Sequence, residues 1–416
     1  MMHTLNPFLK RLQIHIRQFY LLGSLVLIVC SSPCQANDSA PLKVFVLVGQ
    51  SNMQGHAHVR TFEHIGMDSE SAPLLRKMQN EEGQPRVCED VWISYLSTNG
   101  IRQGRLTAGY GASEDKIGPE FTFGLFMQQH LDGPILIIKT AWGGKSLHTD
   151  FRSPSAGPYI FTDTQKEGFR KQGKDFEEIK TERAAATGHY YRLMLGHVKK
   201  VLGNIKSVYP DYNEQQGYEL AGMVWFQGWN DMVDRGVYPE RDQPGGYDQY
   251  SDVLGHFIRD VRKDLSAPEL PFVIGVLGVG GPVEKYGPSQ QRYKGIHQNF
   301  RSAMAAPAQW PEFKGNVSSV LTENYWDMEL VALREKDSQV QRKLKSMVAN
   351  GEIQKNEQNS WREKLRAEAF TPLELETLQK GVSNQEYHYL GSAKIMAQIG
   401  KGFAEAMIGL IDSDSR

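Results

Sequence analysis

Cysteine is scarce in this chain, with three residues in 416, two of which (Cys30 and Cys34) fall within the first 36. Once that stretch is set aside only Cys88 remains, which excludes an intramolecular disulfide and a zinc site built on cysteine ligands. Cys88 precedes the apolar Val91-Trp92-Ile93 and is expected as a small core residue. An excess of charge of one sign is missing too. The 47 Lys+Arg against 48 Asp+Glu give a formal net charge of -1, and this balance argues against a surface built to grip nucleic-acid phosphates. No internal repeat or Pro-rich linker interrupts the chain. Its residues are 40% hydrophobic, enough to bury a large core.

Long apolar runs are lacking as well. The N-terminal run Phe19 to Cys30 is about a dozen residues, short of the roughly 20 that a bilayer span requires. Lys10, Arg11 and Arg17 precede it and Ser-Ser-Pro-Cys-Gln-Ala follows, with Cys34 and Ala36 supplying small side chains before a cleavage point. Residues 1–36 therefore read as a secretory signal peptide. Val29 before Cys30 disfavours lipidation. Removing the three positive charges of this segment takes the net charge from -1 to -4. Residues 37–416 are expected as one exported domain, periplasmic or extracellular, with no stable membrane insertion.

Short β-branched runs recur at Val44–Val48, Val91–Leu96, Ile135–Lys139, Ala221–Phe226, Phe272–Leu277 and Val317–Leu321. Between or after them lie helical patterns, such as Tyr190, Met194, Val198, Val201; Val253, Leu254, Phe257, Ile258, Val261; and Ile395, Ile399, Phe403, Met407. Apolar strands alternating with amphipathic helices predict a three-layer α/β/α fold with a mostly parallel sheet. In such sheets the site lies at the carboxyl ends of the strands. Two charged stretches, residues 163–186 and 329–380, look inserted. The second carries helical spacing broken at Asn350-Gly351 and Thr371-Pro372, and is expected as a solvated helical excursion rather than a lid.

The first run leads into Gly49-Gln50-Ser51-Asn52-Met53-Gln54-Gly55. A serine at a sharp bend before a helix N-terminus is placed as a nucleophile with N–H groups to offer an oxyanion. The spacing leaves an ordinary N-cap serine equally open. After the third run stands Trp142-Gly143-Gly144-Lys145, where a glycine lets a backbone N–H approach a ligand. After the fourth stands Gln227-Gly228-Trp229-Asn230-Asp231, a cluster of amides and a carboxylate. Before the last helical pattern comes Tyr387-His388-Tyr389, whose histidine can serve as a base. His56 and His58 are a potential metal pair without a third ligand at suitable spacing, so no metal or other cofactor is expected.

Taken in order, Gly49-Gln50-Ser51-Asn52-Met53-x-Gly55, Gly118-Pro119-Glu120, Ala141-x-Gly143-Gly144, Trp225-x-Gln227-Gly228 and the late His388 resemble the SGNH hydrolase superfamily, in its sialate O-acetylesterase and acetylxylan esterase branch (carbohydrate esterase family six). The resemblance implies a flavodoxin-like sheet, Ser51 as nucleophile and His388 as base. It also implies an oxyanion hole from the N–H groups of Ser51 and Gly144 with a side-chain amide of Gln227 or Asn230. The acid is where the sequence departs from the pattern. Gln385 stands three residues before His388 where an Asp is usual, and Trp229 stands where the branch can place a Glu. Asp231 is expected first as the acid, then Glu386, then Glu120, the last as a buried acceptor propping the first loop. A Ser51–His388 dyad is the remaining option.

The function so implied is an exported O-acetylesterase acting on acetylated carbohydrate, with Trp142, Trp229 and Trp326 as candidate sugar-stacking residues. The alternatives are a lipase or thioesterase on the same scaffold, and a non-catalytic carbohydrate-binding protein with a decayed site.

Overall fold

The computed structural model describes residues 40–414. The expected signal peptide, 1–36, lies outside them. Among the described residues nine strands are formed: β1 (Leu42–Gly49), β2 (Ala57–His58), β3 (Cys88–Ser97), β4 (Gly100–Leu106), β5 (Lys116–Ile117), β6 (Ile135–Ala141), β7 (Tyr218–Phe226), β8 (Phe272–Val276) and β9 (Val317–Leu321). Seven make one sheet in the order β4-β3-β6-β1-β7-β8-β9, and β2 pairs with β5 in a separate two-stranded ribbon. All neighbours in the large sheet are parallel except the β3–β4 hairpin at its edge.

The mostly parallel α/β architecture is thus as expected, and all six β-branched runs are strands. With β4 left out, the chain order across the sheet is 2-3-1-4-5-6, which differs from the 2-1-3-4-5 flavodoxin order in the place of the third strand, β6, which lies between β3 and β1. β4 escaped the sequence pattern because Gly-Ile-Arg-Gln-Gly-Arg-Leu is polar at most positions, as an exposed edge strand tends to be.

β1, β6 and β7 are buried along nearly their whole length because helices cover both faces. Successive residues of β7 show this. Trp225 packs on Phe257 of the helix Asp248–Asp264, while Phe226 packs on Phe403 of the C-terminal helix Ala393–Asp414. On that second side the helix Glu120–His130 joins the layer, with Phe123 against Phe45 of β1. Cys88 is buried, which pushes its thiol up to about 12 and leaves it unreactive.

Both charged stretches are helical. Asp163–Lys171 and Phe176–Ala186 make the first; Met328–Ala349, Gln358–Ala369 and Pro372–Gly381 make the second. The breaks fall where expected. Gly351 has φ 73°, and Thr371 caps the third helix through a capping box with Glu374, Pro372 being its first residue. This excursion has a small apolar cluster of its own, including Leu333, Val340, Leu344, Leu365 and Phe370. Among the described residues no helix is long and apolar enough to cross a membrane.

Candidate active site

The chain leaves β1 toward one side of the sheet and returns at β7 on the other, so the carboxyl ends of β6, β1 and β7 are adjacent at a topological switch point. Three of the sequence blocks follow these three strands directly. Gly49 ends β1 where an added Cβ would lie 2.1 Å from the Phe226 carbonyl, so only glycine fits between β1 and β7. Ser51 then opens a single helical turn, Ser51–Gln54, closed by Gly55 at φ 90°. Gln50, not Ser51, holds the N-cap position and makes no side-chain cap bond, which removes the ordinary N-cap explanation for Ser51. The Ser51 hydroxyl has no hydrogen-bond partner among the described residues, although the residue is 9% exposed. The Gly143-Gly144 turn is close by. A Cβ on Gly143 would sit 4.0 Å from that of Ser51, and Gly144 has φ 72° with open space beside it.

Gln50 ties the first block to the third. Its Oε1 accepts the backbone N–H groups of Gly228 (3.1 Å) and Asn230 (3.4 Å), which fixes its amide orientation, so its Nε2 must donate to Asn230 Oδ1 (3.1 Å). Asn230 Oδ1 therefore faces Gln50, and Nδ2 is the end left free for a ligand. Gln227 differs. Its Nε2 donates to Gln50 Oε1, the Lys145 carbonyl and Asp231 Oδ2, while its Oε1 accepts from Tyr250. Both amide protons are consumed inside the protein, so of the two amides expected for an oxyanion hole Asn230 alone has a donor to spare.

Asp231 requires a correction. It is fully buried, and its carboxylate accepts Leu147 N (2.8 Å), His148 N (3.0 Å), Gln227 Nε2 (2.6 Å) and Tyr238 OH (3.2 Å). His388 is not among its partners. Burial pushes the carboxyl up, while His148 and these donors draw it back. The chemistry is that of a clamp on the loop after β6. No hydrogen bond or ion pair joins Glu386, the second candidate acid, to His388; it lies on a cavity wall with Trp229 and Tyr387. Glu120 is the expected buried prop. Its Oε1 accepts Gly118 N, and its Oε2 meets Lys139 Nζ at 2.5 Å. That ammonium also donates to the carbonyls of Gln54 and Tyr110, which supports the end of the Ser51 turn from beneath. Burial pushes Glu120 up and pulls Lys139 down to about 8, and their pairing opposes both shifts.

His388 lies on the segment Glu386–Gly391, which packs against the Ser51 turn. Its ring stacks on His56 with centroids 3.8 Å apart and planes 1° from parallel. Its Nδ1 is 3.0 Å from Asn384 Oδ1. Burial, then the Lys116 ammonium, hold its pKa down at about 4. His56 is lowered to about 3, by burial and then by His388, Lys116 and Lys139. His58 is turned to other work, its Nε2 2.9 Å from Asp115 and its Nδ1 accepting from Arg60 N. The two histidines thus share no common point, and no group of three or more His, Cys, Asp or Glu suited to a metal ion occurs among the described residues. Neither Asn384 nor the His56 stack was anticipated; the only sequence signal for Asn384 was a hydrogen-bonding residue four positions before the histidine.

A family model described as carbohydrate esterase, sialic acid-specific acetylesterase, matches residues 41–309, well over half of the chain. The chain belongs to this family. The matched stretch contains the blocks around Ser51, Gly144 and Asn230, and His388 lies beyond it. The family's activity is that of an acetylesterase, a carboxylic ester hydrolase acting on carbohydrate. Among solved structures, a protein of Arabidopsis thaliana is similar at 18% identity, covering 67% of this chain and 85% of that one with a TM-score of 0.36. A carbohydrate acetylesterase from Xanthomonas citri is similar at 13% identity over 67% of this chain and 50% of that one, TM-score 0.37. NanS is similar at 14% over 68% and 78%, TM-score 0.35. No curated protein matches significantly.

Proposed function

We propose that this protein is an exported carbohydrate O-acetylesterase that removes acetyl groups from sugar hydroxyls through an acyl-serine intermediate on Ser51. The observation that carries this reading is the convergence, at the ends of three adjacent strands, of an unpartnered serine hydroxyl, a glycine turn and a free amide donor, with an imidazole on the neighbouring segment. In the reaction, Ser51 Oγ attacks the acetyl carbonyl as its proton passes to His388 Nε2. The Ser51 and Gly144 N–H groups and Asn230 Nδ2 hold the oxyanion. Collapse releases the sugar alcohol, protonated by His388. Water then enters by the same route in reverse, and acetate leaves.

A cavity of about 440 Å³ has among its walls Trp229 and Tyr387, the sequence neighbours of Asn230 and His388, with Tyr286, Tyr293 and Arg235. We assign it to the sugar. Of the three tryptophans named as candidate stacking residues, Trp142 and Trp326 are buried among other aromatic rings, and Trp229 alone lines this space, tilted against Tyr387 at 5.7 Å. Trp229→Ala is expected to raise KM for an acetylated sugar about tenfold, the scale of one base- or sugar-sized stacking contact, while leaving kcat/KM for an aryl acetate within about twofold. Equal losses on both substrates would remove the cavity from the sugar's path.

A neutral imidazole is the active form of the base, so activity rises as pH climbs through the pKa of His388. An unperturbed histidine would place that rise near 6.5; the lowered value moves it to about 4. Activity on an aryl acetate is therefore expected to stay nearly flat from pH 7 to about 5. The fold responds in the same direction but from a higher pH. The unfolded chain takes up these protons near 6.5 and the folded chain resists them, so stability falls as pH drops below that value, and the profile calls for brief exposures at low pH. An acid limb at 6.5 would show a solvated or carboxylate-paired histidine.

A fluorophosphonate probe followed by adduct mapping tests the whole assignment. The adduct is expected on Ser51, in competition with acetylated substrate. No adduct together with no hydrolysis of any acetyl ester would overturn it.

A further inference from the structure

His388 has a partner on Nδ1 where serine hydrolases commonly use a carboxylate, and here it is a neutral amide. We infer that Asn384 is the positioning residue of His388, fixing the imidazole as its Nδ1–H tautomer so that Nε2 is the base. This rests on the proposed Ser51–His388 chemistry, and the geometry that carries it is independent of that chemistry. Asn384 Oδ1 accepts the backbone N–H of Gln385 at 2.8 Å. A backbone N–H only donates, so the atom facing it is the amide oxygen. The same oxygen is 3.0 Å from His388 Nδ1. An oxygen with no proton to give requires that Nδ1 be the donor, and a neutral ring with hydrogen on Nδ1 carries its lone pair on Nε2.

The chain around this contact is built to hold it. The N–H groups of Ser383 and Asn384 both bond the Leu390 carbonyl at 2.9 Å, Leu390 N and His388 N both bond the Gln385 carbonyl, and Ser383 Oγ donates to the Gly391 carbonyl at 2.7 Å. Closing the loop so tightly forces Tyr389 (φ 51°) and Leu390 (φ 60°) into the left-handed region, followed by Gly391 at φ 60°. Two non-glycine residues in that region cost roughly 1–2 kcal/mol each. What offsets the cost is an anchor: the Tyr389 ring is fully buried, and its hydroxyl accepts Gly278 N at 2.8 Å and meets Thr322 Oγ1 at 2.6 Å. The strain falls directly beside His388, and the loop it closes is the one that puts Asn384 against the ring.

The groups facing the imidazole agree with a neutral partner. His56 covers one face, Tyr387 meets it edge-on at 4.5 Å, and the Lys116 ammonium acts on it from the β2–β5 ribbon. Among the described residues no carboxylate pairs with it; Glu386, the nearest in sequence, forms no bond to the ring. An amide oxygen orients the ring without stabilising the imidazolium as a carboxylate would. The base is weaker in consequence, and stays unprotonated in more acidic surroundings.

Two substitutions separate this role from a merely structural one. Asn384→Asp keeps the shape and adds a charge, so the acid limb of kcat/KM for an aryl acetate should move up by about one pH unit or more, with activity at pH 8 retained. Asn384→Leu removes the acceptor and should lower kcat by about a hundredfold to ten-thousandfold with KM little changed, the range seen when a triad histidine loses its tautomer. Long-range 1H–15N spectra of histidine-labelled protein supply a readout that needs no activity: His388 should carry its proton on Nδ1 in the native chain and lose that preference in Asn384→Leu. A native Nε2–H tautomer, or an Asp variant whose acid limb does not move, overturns the inference. If the tautomer is as stated and no acetyl ester is hydrolysed, the positioning role stands and the esterase proposal fails.

Discussion

Ser51→Ala is expected to lower kcat on an aryl acetate by a factor on the order of 10⁶, the scale found when the nucleophile of a serine hydrolase is removed, and to shift the melting temperature by no more than about 2 °C. The two halves of this result come from the same observation. The hydroxyl of Ser51 bonds nothing among the described residues, so its loss strands no donor or acceptor there and leaves a methyl group in a nearly closed site. The turn that carries it is held by other groups: Gly49 between two strands, the Gln54 carbonyl on Lys139, and the Gln50 side chain on the loop after β7. Near-normal turnover would show that another nucleophile does the work. A melting transition lowered by ten degrees or more would show that Ser51 holds the turn together, and activity loss would then say nothing about chemistry.

How far the sequence foretold this site depends on the kind of residue. β1, β6 and β7 are apolar on both faces, so they stand out as continuous β-branched runs, and the blocks that follow them could be placed at one end of the sheet before any contact was known. The placement of Ser51, Gly144 and Asn230 at that end was legible for that reason, while the roles proposed for them came from the family resemblance. The acid was not, because orientation of a histidine is a matter of side-chain reach across a loop. Asp231 looked suitable by its position after β7, yet its side chain turns inward to the loop after β6. Asn384 looked unremarkable, and only the left-handed turn at Tyr389 and Leu390, which no local pattern announces for such residues, folds it back onto His388. The polar hairpin strand β4 and the short β2–β5 ribbon were missed because neither has an apolar period to detect. The ribbon nevertheless brings Lys116 to the site.

The role now given to Asp231 leads to the second large effect. Its carboxylate satisfies two backbone N–H groups, one amide and one phenol, all in a place closed to water. Asp231→Ala strands the two backbone N–H groups and the Tyr238 hydroxyl, and leaves Gln227 Nε2 only its bonds to Gln50 and Lys145. At about 1–3 kcal/mol for each buried unsatisfied group, with part recovered by rearrangement, the loss is on the order of 3–5 kcal/mol, a large share of the usual stability of a folded domain. The melting temperature should fall on the order of 10 °C. Activity should fall with it, because Leu147 and His148 belong to the same loop as Gly144, whose N–H is proposed to face the oxyanion. Asn230→Ala is the control. Asn230 Nδ2 has no hydrogen-bond partner among the described residues, so this change should cost about a hundredfold to a thousandfold in kcat with a nearly native melting curve. If Asp231 were instead the acid of a triad, the order would reverse: Asp231→Asn would melt normally and slow turnover about ten-thousandfold through the wrong histidine tautomer. A native melting temperature for Asp231→Ala, with only the rate lost, would return Asp231 to that role. Because its four donors all come from the loop after β6 and the segment after β7, a carboxylate with no bond to the histidine can still be indispensable, by holding Gly144 in place.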